Sequence, residues 1–203
     1  MTRAKGPRHR VPLRRRREKK TDYYLRRRLI VSRKPRLVVR PSSKHVIAQI
    51  IEASPASDIT VVSSHSSELE SLGWKGSAGN LPAAYLTGLL LGIRAGSKGI
   101  GEAVLDVGVK KPRAGSRVYA VLKGAIDGGL TVPHGEEIFP GNDRIKGEHI
   151  AGCGALLAAS DEGSYHKRFS RLLSLGARPE GLPELFELVR SRITQSSEKE
   201  SGA

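Results

Sequence analysis

At 203 residues, with 38% hydrophobic and 4% aromatic residues, the chain has room for one compact domain of about 150 residues on an aliphatic core, plus polar extensions. Its one cysteine, Cys153, excludes an intramolecular disulfide and suits a reducing compartment. No apolar stretch is long enough to span a bilayer, the longest being Leu81–Ile93, and Met1–Lys20 lacks the apolar core of a signal peptide, so a soluble protein is expected. The net charge of +15 is lopsided: the first 28 residues carry 13 Lys and Arg against 2 acidic residues, which leaves only +4 for the other 175. An arm of +11 repels itself unless a polyanion neutralises it, so this end of the chain reads as RNA-binding.

In chain order, Met1–Leu13 mixes Gly6, Pro7 and Pro12 with cations and has no apolar period, so it is expected to extend and to order on a partner. Thr21 or Asp22 is placed to cap a helix through Tyr23, Tyr24, Leu25, Leu29 and Ile30 toward Ser32, with Arg26, Arg27 and Arg28 fanned around it. Lys34-Pro35 ends that helix. Arg36–Arg40 and Lys44–Ile51 then read as a hairpin across Pro41-Ser42-Ser43. With Ser42 and Ser43 as the turn, Arg40 falls opposite His45, Val38 opposite Ile47 and Arg36 opposite Gln49. Leu37, Val39, Val46, Ala48 and Ile50 then form the core face, while Arg36, Arg40 and His45 face RNA from an exposed side.

Pro55 breaks the chain, Asp58–Ser63 reads as a third strand, and Ser66–Leu72 as a short helix closed by Gly73. Asn80 caps a helix through Ala95, apolar on nearly every side, in which Gly88 and Gly92 imply close approach to a neighbouring backbone. Ala103–Val109 reads as a buried strand, Lys110–Arg113 as a basic loop, and Ser116 as the cap of a helix to Gly128 and Gly129 with Val118, Leu122, Ala125 and Ile126 as its stripe. Beyond Pro133 the signals are a short helix at Asp143–Ile150 and an amphipathic one at Pro183–Ile193, with a disordered tail from Ser196. Together these predict an α/β fold: a mixed sheet with helices packed on it, a basic N-terminal extension and a helical C-terminal extension.

No constellation for catalysis stands out. His149 and Cys153 have helical ligand spacing, but two ligands do not make a zinc site. Ser64 and His65 are adjacent on a strand and point to opposite faces. Gly99-Ile100-Gly101 precedes a strand where a dinucleotide loop follows one, so it is a turn. Gly115-Ser116-Arg117 opens a helix and reads as a plain N-cap rather than a phosphate site. Asp106 is the one carboxylate within the expected apolar strand, too few for metal-dependent hydrolysis. Tyr23 and Tyr24 either stack on exposed bases or anchor their helix on the domain.

The segment KPRLVVRPSSKHVIAQ at Lys34–Gln49 resembles the universal 5S-rRNA-binding protein of the large ribosomal subunit, family eighteen in the universal nomenclature. Arg14–Arg28, GNLPAAYLTGLLLGIRA at Gly79–Ala95, GSRVYAVLKGAIDGGLTVPHG at Gly115–Gly135 and RIKGEHIA at Arg144–Ala151 resemble its archaeal-eukaryotic branch in order, over roughly residues 5–151. The resemblance implies a structural protein of the cytoplasmic ribosome that binds 5S rRNA in the central protuberance and helps attach it to 23S rRNA. Its neighbours would be large-subunit proteins, with no membrane, metal or cofactor and no enzymatic activity. It carries RNA contact onto Arg14, Arg15, Arg16, Arg17, Lys34, Arg36, Arg40, Lys44 and His45. The charge of the arm adds Arg8, Arg10, Lys20, Arg27 and Arg28, Tyr23 and Tyr24 join as stacking residues, and Ser42 joins at the turn. The expected organisation is an RNA-binding arm and helix over 1–33, an α/β core over 34–151 and a C-terminal extension over 152–203. The competing readings are an RNA-processing or RNA-modifying enzyme with a basic delivery arm and, more weakly, a DNA-compacting protein.

Overall fold

Alternation builds the centre of the molecule. In the computed structural model, which describes residues 6–7, 10–54 and 57–201, β1 (Arg36–Pro41) and β2 (Val46–Ala53) pair antiparallel. Leu37, Val39, Val46, Ala48 and Ile50 all lie in the core, none more than 1% exposed. The register differs from the expected one by two residues: Arg40 pairs with Ile47, Val38 with Gln49 and Arg36 with Ile51. Ser42 causes the shift. Its N–H donates to His45 O (2.8 Å) and its Oγ accepts from His45 N (2.9 Å), so Ser43 and Lys44, not Ser42 and Ser43, occupy the tip. Moving the turn by one residue slips every pairing by two, and the faces survive because side chains alternate with period two.

β3 (Asp58–His65) extends the sheet antiparallel to β2, past an irregularity at Ile50/Ile51, and β4 (Val104–Asp106) pairs parallel to β1, giving the order β3-β2-β1-β4. β4 is shorter than the expected run. Gly108, at φ +68°, turns the chain away, and its N–H donates to Asp106 Oδ1 (2.8 Å). The predicted helix at Ser66–Leu72 forms only a 3-10 turn over Glu68–Glu70, followed by Gly73 at φ +96°.

One face of the sheet is covered by α3 (Leu81–Ser97), whose Asn80 cap accepts from Ala83 N (2.9 Å), and by α4 (Arg117–Asp127). The two helices touch backbone to backbone. A Cβ at Gly88 would collide with Val121 O, one at Gly92 would lie 2.5 Å from Ala125 O, and one at Gly124 would collide with Tyr85 O. Gly88→Ala is therefore expected to destabilise by about 1–3 kcal/mol, because a clash with backbone outweighs the roughly 1 kcal/mol gain in helix propensity. Gly96→Ala, which meets nothing within 4 Å, is expected to stabilise by about 0.5–1 kcal/mol. Urea midpoints for the two variants check both signs; a Gly88→Ala midpoint at or above that of the unmutated protein would show that the close approach is relieved in solution.

The chain ends depart most from expectation. A short α1 (Arg14–Arg17) precedes the predicted N-terminal helix, α2 (Tyr23–Val31), whose Asp22 cap accepts from Tyr24 N (2.9 Å) and Leu25 N (3.2 Å). Gly147, at φ +89°, splits the helix expected at Asp143–Ile150 into α5 (Asn142–Lys146) and α6 (Glu148–Ser160). α7 (Glu162–Ser174) follows. α8 (Leu182–Ser201) sends Leu182, Phe186, Val189 and Ile193 into the same core as the sheet. It stays helical through Ser201, in place of the disordered tail expected from Ser196, because no Gly or Pro intervenes to stop propagation.

Candidate nucleic-acid interface

All four arginines of α1 and both Arg27 and Arg28 of α2 are exposed, as are Arg10, Lys19 and Lys20. Arg8 lies outside the described residues. Local bonds shape the arm. Glu18 accepts from Arg14 Nε (2.9 Å) and pairs with Lys20 Nζ (2.9 Å), and the bonds from Lys20 and Arg14 hold its carboxyl below the usual range. Arg15 Nε donates to Thr21 Oγ1 (2.8 Å), and the Arg16 guanidinium stacks over the Tyr24 ring at 5.1 Å. The two tyrosines part company: Tyr24 is 67% exposed, with a face available for stacking, whereas Tyr23 is half-buried. Arg26 turns inward, its Nη2 donating to Asp58 Oδ1 (3.0 Å), and so separates from Arg27 and Arg28.

The outer face of the hairpin is not open to solvent, and the expected exposure of Arg36 is corrected. Arg36 is 4% exposed and Val38 6%, because the arm lies over them and leaves a cavity of about 200 Å³ lined in part by Thr21, Leu25, Arg36 and Ile51. Val38 and Ile51 give this face apolar surface that needs cover, and the charge beneath is matched. Arg36 Nη1 donates to Asp106 Oδ2 (2.9 Å), while its Nη2 sits 2.7 Å from Asp58 Oδ2 in an ion pair that is misaligned for a hydrogen bond. Arg40 differs. Its Nη1 donates to Val39 O (2.9 Å) and Asp106 O (2.8 Å), its Nη2 to Asp106 Oδ1 (3.2 Å), and its side chain stays 46% exposed. Asp106 is thus committed to two guanidiniums and a backbone N–H rather than to a metal.

Lys34 remains exposed beside Glu102 (2.6 Å), and Lys44 is exposed at the hairpin tip. His45 packs on His65 with ring centroids 5.0 Å apart, and its Nδ1 is buried without a hydrogen-bond partner. The tip is anchored: Arg117 Nη1 donates to Ser42 O (2.7 Å) and Gly79 O (2.9 Å). Ser64 Oγ donates to buried Thr87 O (2.9 Å) while His65 Nδ1 meets Ser67 Oγ (2.6 Å), so these neighbours do not form a nucleophile-base pair. Ser116 occupies the N-cap position of α4 but makes no capping bond, and its Oγ is buried without a partner.

Sequence reasoning reads Lys110–Arg113 as a basic loop and leaves it out of the interface. Parallel pairing of β4 beside β1 brings Lys110 and Lys111 next to Arg40, Arg117 and the arm's Lys19 and Lys20, around a groove of about 560 Å³. The usable signal was a Lys-Lys-Pro-Arg run directly after an apolar strand.

An α/β scaffold that mounts exposed arginines on one side of its sheet, with its buried carboxylate spent on ion pairs, has the charge distribution of a polyanion-binding protein. The sequence model of the ribosomal large subunit proteins 60S L5 and 50S L18 matches residues 7–99 and 94–135, and the chain belongs to that family. It is a large-subunit ribosomal protein, of a family whose members are generally structural. Among the described residues no helix is long and apolar enough to cross a membrane.

Proposed function

We propose that this protein binds 5S rRNA and helps attach it to 23S rRNA in the central protuberance of the cytoplasmic ribosome, as a structural component without chemical turnover. The observation that carries the reading is the arm: α1 and α2 hold exposed arginines over the outer face of the sheet, in a chain of this ribosomal family. Phosphate neutralisation by Arg10, Arg14, Arg15, Arg16, Arg17, Lys20, Arg27 and Arg28 supplies affinity, and Tyr24 stacks on an exposed base. Lys34, Arg40, Ser42, Lys44 and His45 continue the contact along the hairpin, while Arg36 acts from beneath by holding Asp58 and Asp106. Residues 34–151, with the buried face of α8 packed into the same core, form the scaffold, and the remaining surface of residues 152–203 meets neighbouring large-subunit proteins.

The test is a salt titration of 5S rRNA binding, with a DNA duplex of equal length for comparison. Deleting Met1–Lys20 is expected to flatten the slope by ~0.7–0.9 for each phosphate that the arm no longer neutralises. Equal affinity for the DNA duplex, or a truncated protein that keeps the full slope and affinity, would overturn the reading.

A further inference from the structure

A cleft between α7 and the loop 75–80 shares no lining residue with the arm or the sheet. Its floor is Ile150, Phe169, Leu172 and Leu182, and its volume is about 270 Å³. Both walls are fixed before anything binds. A Cβ at Gly76 would lie 2.7 Å from the Trp74 ring and 3.1 Å from Leu182 Cδ1, and the buried Trp74 donates from Nε1 to Ser77 O (3.4 Å), which holds the loop against the start of α8. Opposite, α7 kinks at Phe169 (φ −105°, ψ 16°), whose ring lies 5.5 Å from that of Tyr165, and the Tyr165 hydroxyl donates to Glu180 Oε2 (3.2 Å). The rim is cationic. Lys75, Arg168 and Arg171 are exposed, and among the described residues none of them has a carboxylate partner; the Arg168 guanidinium has only Cys153 Sγ, at 3.8 Å.

Cations gathered without counter-charges favour an anionic occupant, and an apolar floor favours one that brings an apolar group with it. The volume lies below the ~300–1,000 Å³ of sites that enclose a whole small organic ligand, so the cleft takes a side chain rather than a nucleotide. We infer that it receives an acidic segment of a neighbouring protein, with one large apolar side chain seated on Phe169, Leu172 and Leu182 and the carboxylates on either side of it paired with Lys75, Arg168 and Arg171. The inference deepens the proposed contact of residues 152–203 with large-subunit proteins and rests on it. Walls that are already held in place spare the protein the cost of ordering them when the segment docks.

The full chain is titrated at fixed salt with two short peptides of glutamate and aspartate that differ only in the central residue, phenylalanine in one and serine in the other. Their charges are equal, so attraction to the basic arm cancels in the ratio of affinities. The phenylalanine peptide is expected to bind about tenfold tighter, the gain from burying one large apolar side chain. Ser170→Trp, at an exposed position on the cleft, fills it with an indole and is expected to bring the ratio near one. Arg168→Ala with Arg171→Ala is expected to weaken the phenylalanine peptide about fivefold more than Arg15→Ala with Arg16→Ala, which removes the same charge from the arm. Equal affinity for the two peptides, or a ratio unchanged by Ser170→Trp, overturns the cleft assignment. So does a single-stranded RNA of equal charge that loses more affinity than the phenylalanine peptide when Arg168 and Arg171 are replaced. The peptide ratio on the unmutated chain stands whether or not a variant folds. Cross-linking of the exposed Lys75 and Lys167 in purified large subunits is read separately. Cross-links to neighbouring proteins beside indistinguishable peptides sink the cleft alone; cross-links to no protein sink the contact on which it rests.

Discussion

Arg36→Ala is expected to destabilise the protein by about 3–5 kcal/mol, the range for removing one partner of a buried ion pair. The guanidinium is 5% exposed and meets Asp106 at 2.9 Å and Asp58 at 2.7 Å, and the Asp106 side chain is itself 8% exposed. Removing it leaves a desolvated carboxylate with only Arg40 and the Gly108 N–H for company. The Arg14–Glu18 pair lies at the surface, where water and salt screen it, so Arg14→Ala serves as the comparison. Alternation alone predicts that Arg36→Ala with Arg40→Ala leaves folding intact. The burial of Arg36 reverses this: the double variant should melt at least as early as Arg36→Ala, since Asp106 then keeps only the Gly108 N–H, and Arg40→Ala alone tests RNA contact on a domain that retains the Arg36–Asp106 pair. Urea midpoints paired with 5S rRNA titrations separate the two. A loss below about 1 kcal/mol for Arg36→Ala would mean that water readily replaces the guanidinium.

Leu37→Ala, one residue further on and facing the other way, is expected to cost about 2–5 kcal/mol. Leu37 is fully buried and sits in the cluster that joins the sheet to α3, α4 and α8. The cost combines lost transfer energy with a cavity that two backbone-tight helices cannot collapse to fill. RNA affinity should fall only in proportion to the unfolded fraction, so binding under strongly stabilising conditions should match the unmutated protein. A weaker affinity in a fully folded Leu37→Ala protein would place this side of the sheet in the interface and sink the assignment of faces.

Much of the local structure was legible because its cause is local. Asp22 and Asn80 cap their helices through bonds to amides two or three residues away. The glycines of α3 were readable as a close approach, although the opposing Gly124 of α4 and Gly128 at its C-cap were not paired with them. α7 was missed despite an available signal: an Asp161 cap followed by Tyr165, Phe169, Leu172 and Leu173 at helical spacing. α6 carried less. Ala155, Leu156, Ala158 and Ala159 are all exposed, so burial imposes no period on it.

By itself the sequence determined the lopsided charge, the caps, the aliphatic core and the division of the hairpin into two faces, since each follows from composition or from a short repeat. Only the tertiary structure decided what lies against the outer face. Arg36 and Asp106 are 70 residues apart, and the parallel pairing of β1 with β4 that joins them obeys no pattern within either strand. The same pairing carries Lys110 and Lys111 to Arg40, and the folding back of α1 and α2 turns an arginine expected on the surface into a buried one. Strand neighbours and arm placement are set by the total burial and charge matching of distant segments, which no local window contains.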